Sequence, residues 1–231
     1  MSNTKPLALV TGVGPGTGAS VVRRFAEGGY RVAMLARDAD RLAALASEIP
    51  DSIALPCDVS DADALKQAID SVGAPKVVVH NAVGGAFGTF SQIDAEVLQR
   101  NFEINTMALL HLARLTTPAM IAAGEGALIV TGNTSAQRGR ATFAGFAPTK
   151  AAQRILAESL ARDLGPKGVH VAYLIIDAVI DVPWQRERLP DAPDDFFISP
   201  ASIAGEVFHL AQQPRDAWSF LAEVRPFHEP W

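Results

Sequence analysis

The stretch Leu7–Ser20, LALVTGVGPGTGAS, most narrows what this chain can fold into. Leu7–Val10 is a short apolar run and predicts a buried strand. Gly12, Gly14, Gly16 and Gly18 follow, and from Ala19 the residues Val21, Val22, Phe25 and Ala26 supply the apolar face of a helix. A strand that breaks through glycines into a helix is an anion site. Bare backbone allows close approach, and the helix N-terminus offers free N–H groups and the positive end of its dipole. The spacing is T-G-x-x-x-G-x-G from Thr11 to Gly18, not G-x-G-x-x-G. A glycine cluster alone also suits a plain loop. Its place between a strand and a helix, at the head of an alternating pattern, favours the anion reading.

The alternation continues. Tyr30–Ala36 predicts a second strand, followed by a helix in DADRLAALASEI with Leu42, Leu45 and Ile49 inward. Ser52–Cys57 is a third strand, and Ser60 or Asp61 can cap a helix over Ala62–Val72. Lys76–His80 is a fourth strand that runs into the glycine-rich NAVGGAFG. Asp94–Ala123 reads as mostly helical, with a change of direction near Asn101–Asn105 and a bend or break at Pro118. Gly126–Thr131 is a fifth strand, Phe143–Leu164 a long helix and Val169–Ile176 a sixth strand. An irregular stretch, Asp177–Ile198, leads to a helix opened by Ser199-Pro200 and running through Gln212. Trp218–Val224 is a last strand. Such alternation demands a doubly wound parallel sheet with helices on both faces. Ligands of such sheets bind beyond the carboxyl ends of the strands.

Composition fits one α/β domain over residues 1–231, with 48% hydrophobic and 19% charged residues. A net charge of −5 without a basic stripe argues against nucleic acid as a partner. No apolar run is long enough for a bilayer, and the polar MSNTKP start lacks the apolar centre of a signal peptide, so a cytoplasmic protein with no membrane partner is expected. Cys57 is the only cysteine, which excludes an internal disulfide. No metal site is assigned.

Five features now line up: TGVGPGTG at the first turn, CDV after strand three, HNAVGG after strand four, Asn105 in the helix beyond, and Lys150 near the start of the long helix. In this order and spacing the chain resembles the short-chain dehydrogenases/reductases over essentially its full length. That resemblance implies a Rossmann sheet of about seven strands binding NAD or NADP. It places Gly12, Gly16 and Gly18 at the pyrophosphate, Asp58 and Val59 beside the adenine, and Asn81 and Ala82 along the ribose and sheet edge, with Thr17 also among the cofactor-binding residues. Lys150 falls on the nicotinamide ribose, with Asp177 and Ile180 past strand six near the nicotinamide. Arg37 falls where NADP-binding members carry a basic side chain, and a guanidinium can clamp a 2′-phosphate. NADP(H) is therefore the preferred cofactor, with NAD(H) as a second option. Asp38 competes as a ribose reader, but in DADRL it is the better helix N-cap.

The catalytic part departs from the family pattern. Members carry Y-x-x-x-K; this chain has Phe146-Ala-Pro-Thr-Lys150. The phenol normally passes a proton to or from the substrate oxygen, and a phenyl ring cannot. The usual serine position lands on Asn133, with the hydroxyls of Thr134 and Ser135 beside it. The catalytic candidates are therefore Asn105, Thr134, Ser135 and Lys150. Tyr30 and Tyr173 do not belong at the active end. Asp177 and Asp181 are either carboxylic acids raised by burial or plain turn and cap residues. His80 and His111 read as structural, and a water chain through Lys150 and Asn105 is a further route for the proton. GNTSAQRG, FAGFAPTK, DAVIDVP and RPFHEPW resemble a bacterial subgroup with Phe in the tyrosine slot.

Two functions follow. One is an NADP(H)-dependent oxidoreductase of an unidentified carbonyl or alcohol with a non-standard site. The other is a catalytically impaired NADP(H)-binding sensor or scaffold. Phe87, Phe90, Phe143, Trp184, Phe196 and Phe197 suit an apolar substrate mouth, or equally core or an interface. The stripe Ala151, Ile155, Ala157, Leu160 and Leu164 points to a homodimer or homotetramer.

Overall fold

A computed structural model describes residues 5–229, so Met1–Thr4 and the last two residues of the RPFHEPW tail lie outside the description. Seven parallel strands form one sheet: β1 (Leu7–Thr11), β2 (Arg31–Ala36), β3 (Ser52–Pro56), β4 (Val77–His80), β5 (Gly126–Asn133), β6 (Val169–Ile176) and, after a small outlying pair, β9 (Leu221–Val224). Their order is β3-β2-β1-β4-β5-β6-β9. The central strands are buried on both faces, which is why they read as unbroken apolar runs. Residues at alternate positions split between two cores. Ala8 and Val10 face α1 (Thr17–Glu27), α2 (Ala39–Glu48) and α8 (Pro200–Ala211). Leu7 and Leu9 face α3 (Ala62–Val72), α5 (Ala108–Ala123) and α6 (Ala147–Leu164). The chain reverses its direction of winding between β1 and β4, which opens a crevice above their carboxyl ends.

The caps follow side-chain chemistry. Asp61, not Ser60, caps α3 by accepting from the N–H groups of Asp63 and Ala64, both at 3.0 Å. Ser199 caps α8 through the Ser202 N–H at 3.0 Å. Gly16 opens α1 with no side-chain cap at all.

Three expectations are corrected. The long helix starts at Ala147 rather than Phe143. Residues 142–144 are drawn instead into a backbone bridge with Gly88, whose N–H donates to the Thr142 carbonyl at 2.7 Å, and Pro148 is tolerated in the first turn where N–H groups have no intrahelical acceptor. Pro118 does not break α5, because it sits on the exposed side, where water can take the carbonyl it leaves unpaired. The hydroxyls of Thr116 and Thr117 bond back to the carbonyls of Leu112 and Ala113 in the same turn. The last strand begins at Leu221, since Trp218 is held out of it by stacking on His170 and by an indole bond to the Gln213 carbonyl.

The change of direction near Asn101–Asn105 is a π-helical turn, Glu103–Met107, between α4 (Ala95–Phe102) and α5. The stretch after β6 holds a short parallel pair, β7 (Val179–Ile180) with β8 (Phe197–Ile198), and a helix α7 (Pro183–Arg188). No helix among the described residues is long and apolar enough to cross a membrane.

Candidate functional site

A cleft of about 1440 Å³ lies over the carboxyl ends of β1, β2 and β4. Its floor is the glycine turn. Gly12 has φ +68°, and a Cβ there would lie 2.5 Å from the backbone of Ala82. A Cβ on Gly18 would lie 2.5 Å from the Gly12 carbonyl oxygen. These two glycines let β1, the β4 loop and α1 approach one another. Gly16 faces Val182 across the cleft, where a Cβ would stand 2.9 Å from a methyl group. The uncapped first turn of α1 lines the cleft through Gly16, Thr17 and Gly18. The Thr17 hydroxyl is buried there without a hydrogen-bond partner. An orphaned buried hydroxyl beside the open N–H groups of a helix start fits the phosphates of a dinucleotide.

Asn81 and Ala82 also line the cleft, and each end of the Asn81 amide makes one bond that ties neighbouring segments together. Its Nδ2 donates to the Gly12 carbonyl at 2.9 Å, and its Oδ1 accepts from the Thr131 hydroxyl at 2.9 Å. The backbone N–H groups of Asn81 and Ala82 both reach the Thr11 hydroxyl at 3.3 Å.

The far wall starts at Ala36, followed by Arg37 and Asp38. Asp38 caps α2 by accepting from the Arg41 N–H at 2.9 Å, and it pairs with the Arg41 guanidinium at 2.9 Å. Its carboxylate is thus engaged, and Arg37 is the cation at this end of the cleft that joins no ion pair among the described residues; Arg188, likewise without one, lines the opposite end on α7. Asp58 and Val59 stand beside it. Burial pushes the Asp58 carboxyl up. The bonds from the Ser60 N–H and hydroxyl outweigh this, and with Arg100 and Arg37 they hold it below the usual carboxylate range.

The opposite half holds the catalytic candidates, which the structure separates. Phe146 lines the cleft, its ring 5.6 Å from that of Phe87. Asn133 lines it too, with Oδ1 taken by the Ser135 N–H at 3.1 Å. Asn105 and Lys150 do not line it; both are packed behind this wall. Asn105 donates to the Gly84 carbonyl and the Thr149 hydroxyl, each at 2.8 Å, and accepts from the Gly84 N–H at 3.0 Å. Lys150, 2% exposed, sends its Nζ to the Thr131 carbonyl at 3.1 Å and to Gln153 Oε1. Thr134 opens a short turn after β5, and Ser135 borders a second hollow of about 330 Å³, apart from the cleft.

Past β6, Ile180 lines the cleft, whereas Asp177 lies outside the lining and approaches Arg225 at 4.0 Å. Asp181 accepts from one edge of the Arg186 guanidinium, Nε at 2.8 Å and Nη2 at 3.0 Å, while Nη1 bonds Asp194 at 2.6 Å. These bonds keep its carboxyl below the ordinary range, which is the reverse of what a general acid needs. His80 bonds the Thr11 hydroxyl and the Asn105 carbonyl, and burial, then the Lys150 charge, push it down to about 3, so it is a neutral structural side chain. Of the aromatic candidates, Phe87, Phe143 and Trp184 line the cleft. Phe90 stands 88% exposed away from it, and Phe197 packs against β7 and under Arg186.

Two residues of this half escape a reading by motif. Gln153 is fully buried and ties three groups together: it accepts from Lys150 and from the Tyr173 hydroxyl at 3.2 Å, and donates to the Asn105 carbonyl at 2.7 Å. Tyr173 reaches it because Gly132 leaves room for the ring; a Cβ there would stand 2.2 Å from the phenol ring. The available signals are a glycine inside β5 and a glutamine on the inner face of α6.

Burial lowers the Lys150 ammonium to about 7 from an ordinary 10.5. Between those values the unfolded chain holds a proton that the folded one has released, so stability rises with pH across that interval. We expect urea unfolding from pH 7.5 to 9.5 to show this slope, at most about 1.4 kcal/mol per pH unit. Lys150→Met is expected to flatten it. An unchanged slope in the variant means that the proton belongs to another group.

The model of the short chain dehydrogenase family matches residues 6–191. D-erythrulose reductase of Gallus gallus is 34% identical over 165 residues, covering 71% of this chain and 67% of that protein. L-xylulose reductase of Mesocricetus auratus is 32% identical over 165 residues, covering 71% and 68%. Among solved structures, a short-chain dehydrogenase from Rhodopseudomonas palustris is similar with a TM-score of 0.82 and 29% identity, over 96% of this chain and 99% of that one. A metagenomic short-chain oxidoreductase in complex with NADP has a TM-score of 0.83 and 28% identity, over 98% and 99%.

Proposed function

The chain belongs to the short-chain dehydrogenase family, and on that footing we propose that it is a cytoplasmic NADP(H)-dependent oxidoreductase of a carbonyl or alcohol substrate, belonging to a subgroup with Phe in the catalytic tyrosine position. One observation carries the cofactor reading: the orphaned Thr17 hydroxyl at the uncapped start of α1, in the same cleft as Arg37. The relatives named as reductases and the neighbour complexed with NADP support it.

In this reading Gly16, Thr17 and Gly18 hold the phosphates, and Arg37 holds the 2′-phosphate. Asp58, Val59, Asn81 and Ala82 border the adenosine half, and Gly12 keeps the floor low. A nicotinamide held there would supply hydride transfer to or from the substrate carbon. The substrate oxygen needs a proton partner, and Phe146 offers none. The Asn133 amide, which lines the cleft with its Oδ1 already engaged, can donate a hydrogen bond to that oxygen without giving up a proton. Asn105 and Lys150 stiffen the wall behind, so the proton comes from water and turnover is slow. Self-association as a homodimer or homotetramer is part of the same proposal, through the outer face of α6, where Ile155 is 51% exposed.

A specific observation favours the second reading, a binding protein with impaired catalysis. The Lys150 Nζ is committed to Thr131 and Gln153 on the inner side of the wall. Fluorescence titration tests what both readings share: NADPH is expected to bind in the micromolar range. A panel of simple carbonyls then separates them, with slow but measurable NADPH oxidation for the enzyme and none for the sensor.

A further inference from the structure

The half of the cleft beyond the Phe146 wall is apolar in a way the fold does not need. Phe87 is 67% exposed and Trp184 46% exposed, yet both face the cleft. Large apolar side chains gathered on a concave wall outside the core mark a ligand surface. The Phe87 ring meets Phe143 edge-on at 5.1 Å and Phe146 at 5.6 Å. Backbone bonds hold this group in place: Gly88 donates to the Thr142 carbonyl at 2.7 Å and accepts from the Ala144 N–H at 3.3 Å. The two loops that carry Phe87 and Phe143 are thus zipped together. Across the cleft, α7 presents Trp184. The polar groups on these walls are Thr142, Asn133, with one amide end already engaged, Gln185 and the Arg188 guanidinium at the rim.

We propose that this half takes a ketone, or the corresponding secondary alcohol, with a flat apolar body one to two aromatic rings wide. The inference rests on reading the adjoining half as a dinucleotide site, because that sets where a carbonyl carbon must lie. A flat ring gains edge and offset contacts with Phe87, Phe143 and Trp184. A polyhydroxylated chain would lose water from more hydroxyls than these four side chains can satisfy, and each one left unpaired weakens binding.

The test uses the intact protein without cofactor and two probes, 2-acetonaphthone and L-xylulose, by titration calorimetry. We expect 2-acetonaphthone to bind at least about tenfold more tightly, the equivalent of ~1.4 kcal/mol. Phe87→Ser is expected to weaken it about tenfold, a similar increment, and Phe87→Tyr to retain it. Phe87 lies outside the core, so melting temperatures should agree among the three proteins. Equal or tighter binding of L-xylulose, no binding of either probe, or an unchanged affinity in Phe87→Ser overturns the proposal. NADPH titrated in parallel keeps the two readings apart. Binding of the ketone with no binding of NADPH sinks the cofactor reading, and the reverse sinks this one.

Discussion

Phe146→Tyr is expected to raise NADPH-dependent carbonyl reduction by about a hundredfold in kcat, the low end of what a positioned general acid supplies. Residue 146 stands four before Lys150, and its ring already forms part of the cleft wall. The change adds one hydroxyl to a ring that already packs beside Phe87, so the pocket keeps its shape. The gain should fall in kcat with KM little altered, because the new group acts on the transition state rather than on substrate binding. Steady-state kinetics of the two proteins on one ketone decide it. If the wild type turns over as fast as the variant, another group supplies the proton and Phe146 is no catalytic deficit.

Arg37→Ala is expected to weaken NADPH binding by between tenfold and a hundredfold, with NADH changed less than about twofold. Hydrogen bonds to charged groups contribute about 1.5–3 kcal/mol, and a guanidinium clamping a phosphate lies in that range. The selectivity follows from its neighbours. Ala36 cannot accept from a ribose hydroxyl, and Asp38 already serves the Arg41 N–H and guanidinium. Arg37 is therefore the group at the end of β2 that separates the two cofactors. Fluorescence titrations of both nucleotides measure the effect, and equal losses for NADPH and NADH remove the 2′-phosphate assignment.

Much of the fold was legible because a parallel sheet buried on both faces needs apolar strands, and punctuation marks their ends. Asp61 and Ser199 cap helices near the positions at which the sequence suggests caps. The misplaced boundaries share a cause. Residues 143–146 have helix-like periodicity, yet a bridge to Gly88, more than fifty positions away, overrides it. Pro118 carries a local penalty that its exposed setting removes.

In the site, motif spacing located the glycine turn, Arg37 and the Phe146 anomaly. It did not foresee which way Lys150 turns, because that depends on Gln153 and Tyr173, residues brought together from α6 and β6. Nor does spacing reveal that Asn81 ties the β1 turn to β5. Asp181 looked open to either of two roles, and the partner that decides it, Arg186, lies five residues on across a turn.

The most direct measurement is a crystal of the protein soaked in excess NADP. We expect density for the dinucleotide across the carboxyl ends of β1, β2 and β4, its phosphates within hydrogen-bonding distance of the Gly16–Gly18 backbone and the Thr17 hydroxyl, and its 2′-phosphate on Arg37. A cleft that stays empty under those conditions, or a nucleotide bound elsewhere, contradicts the cofactor assignment.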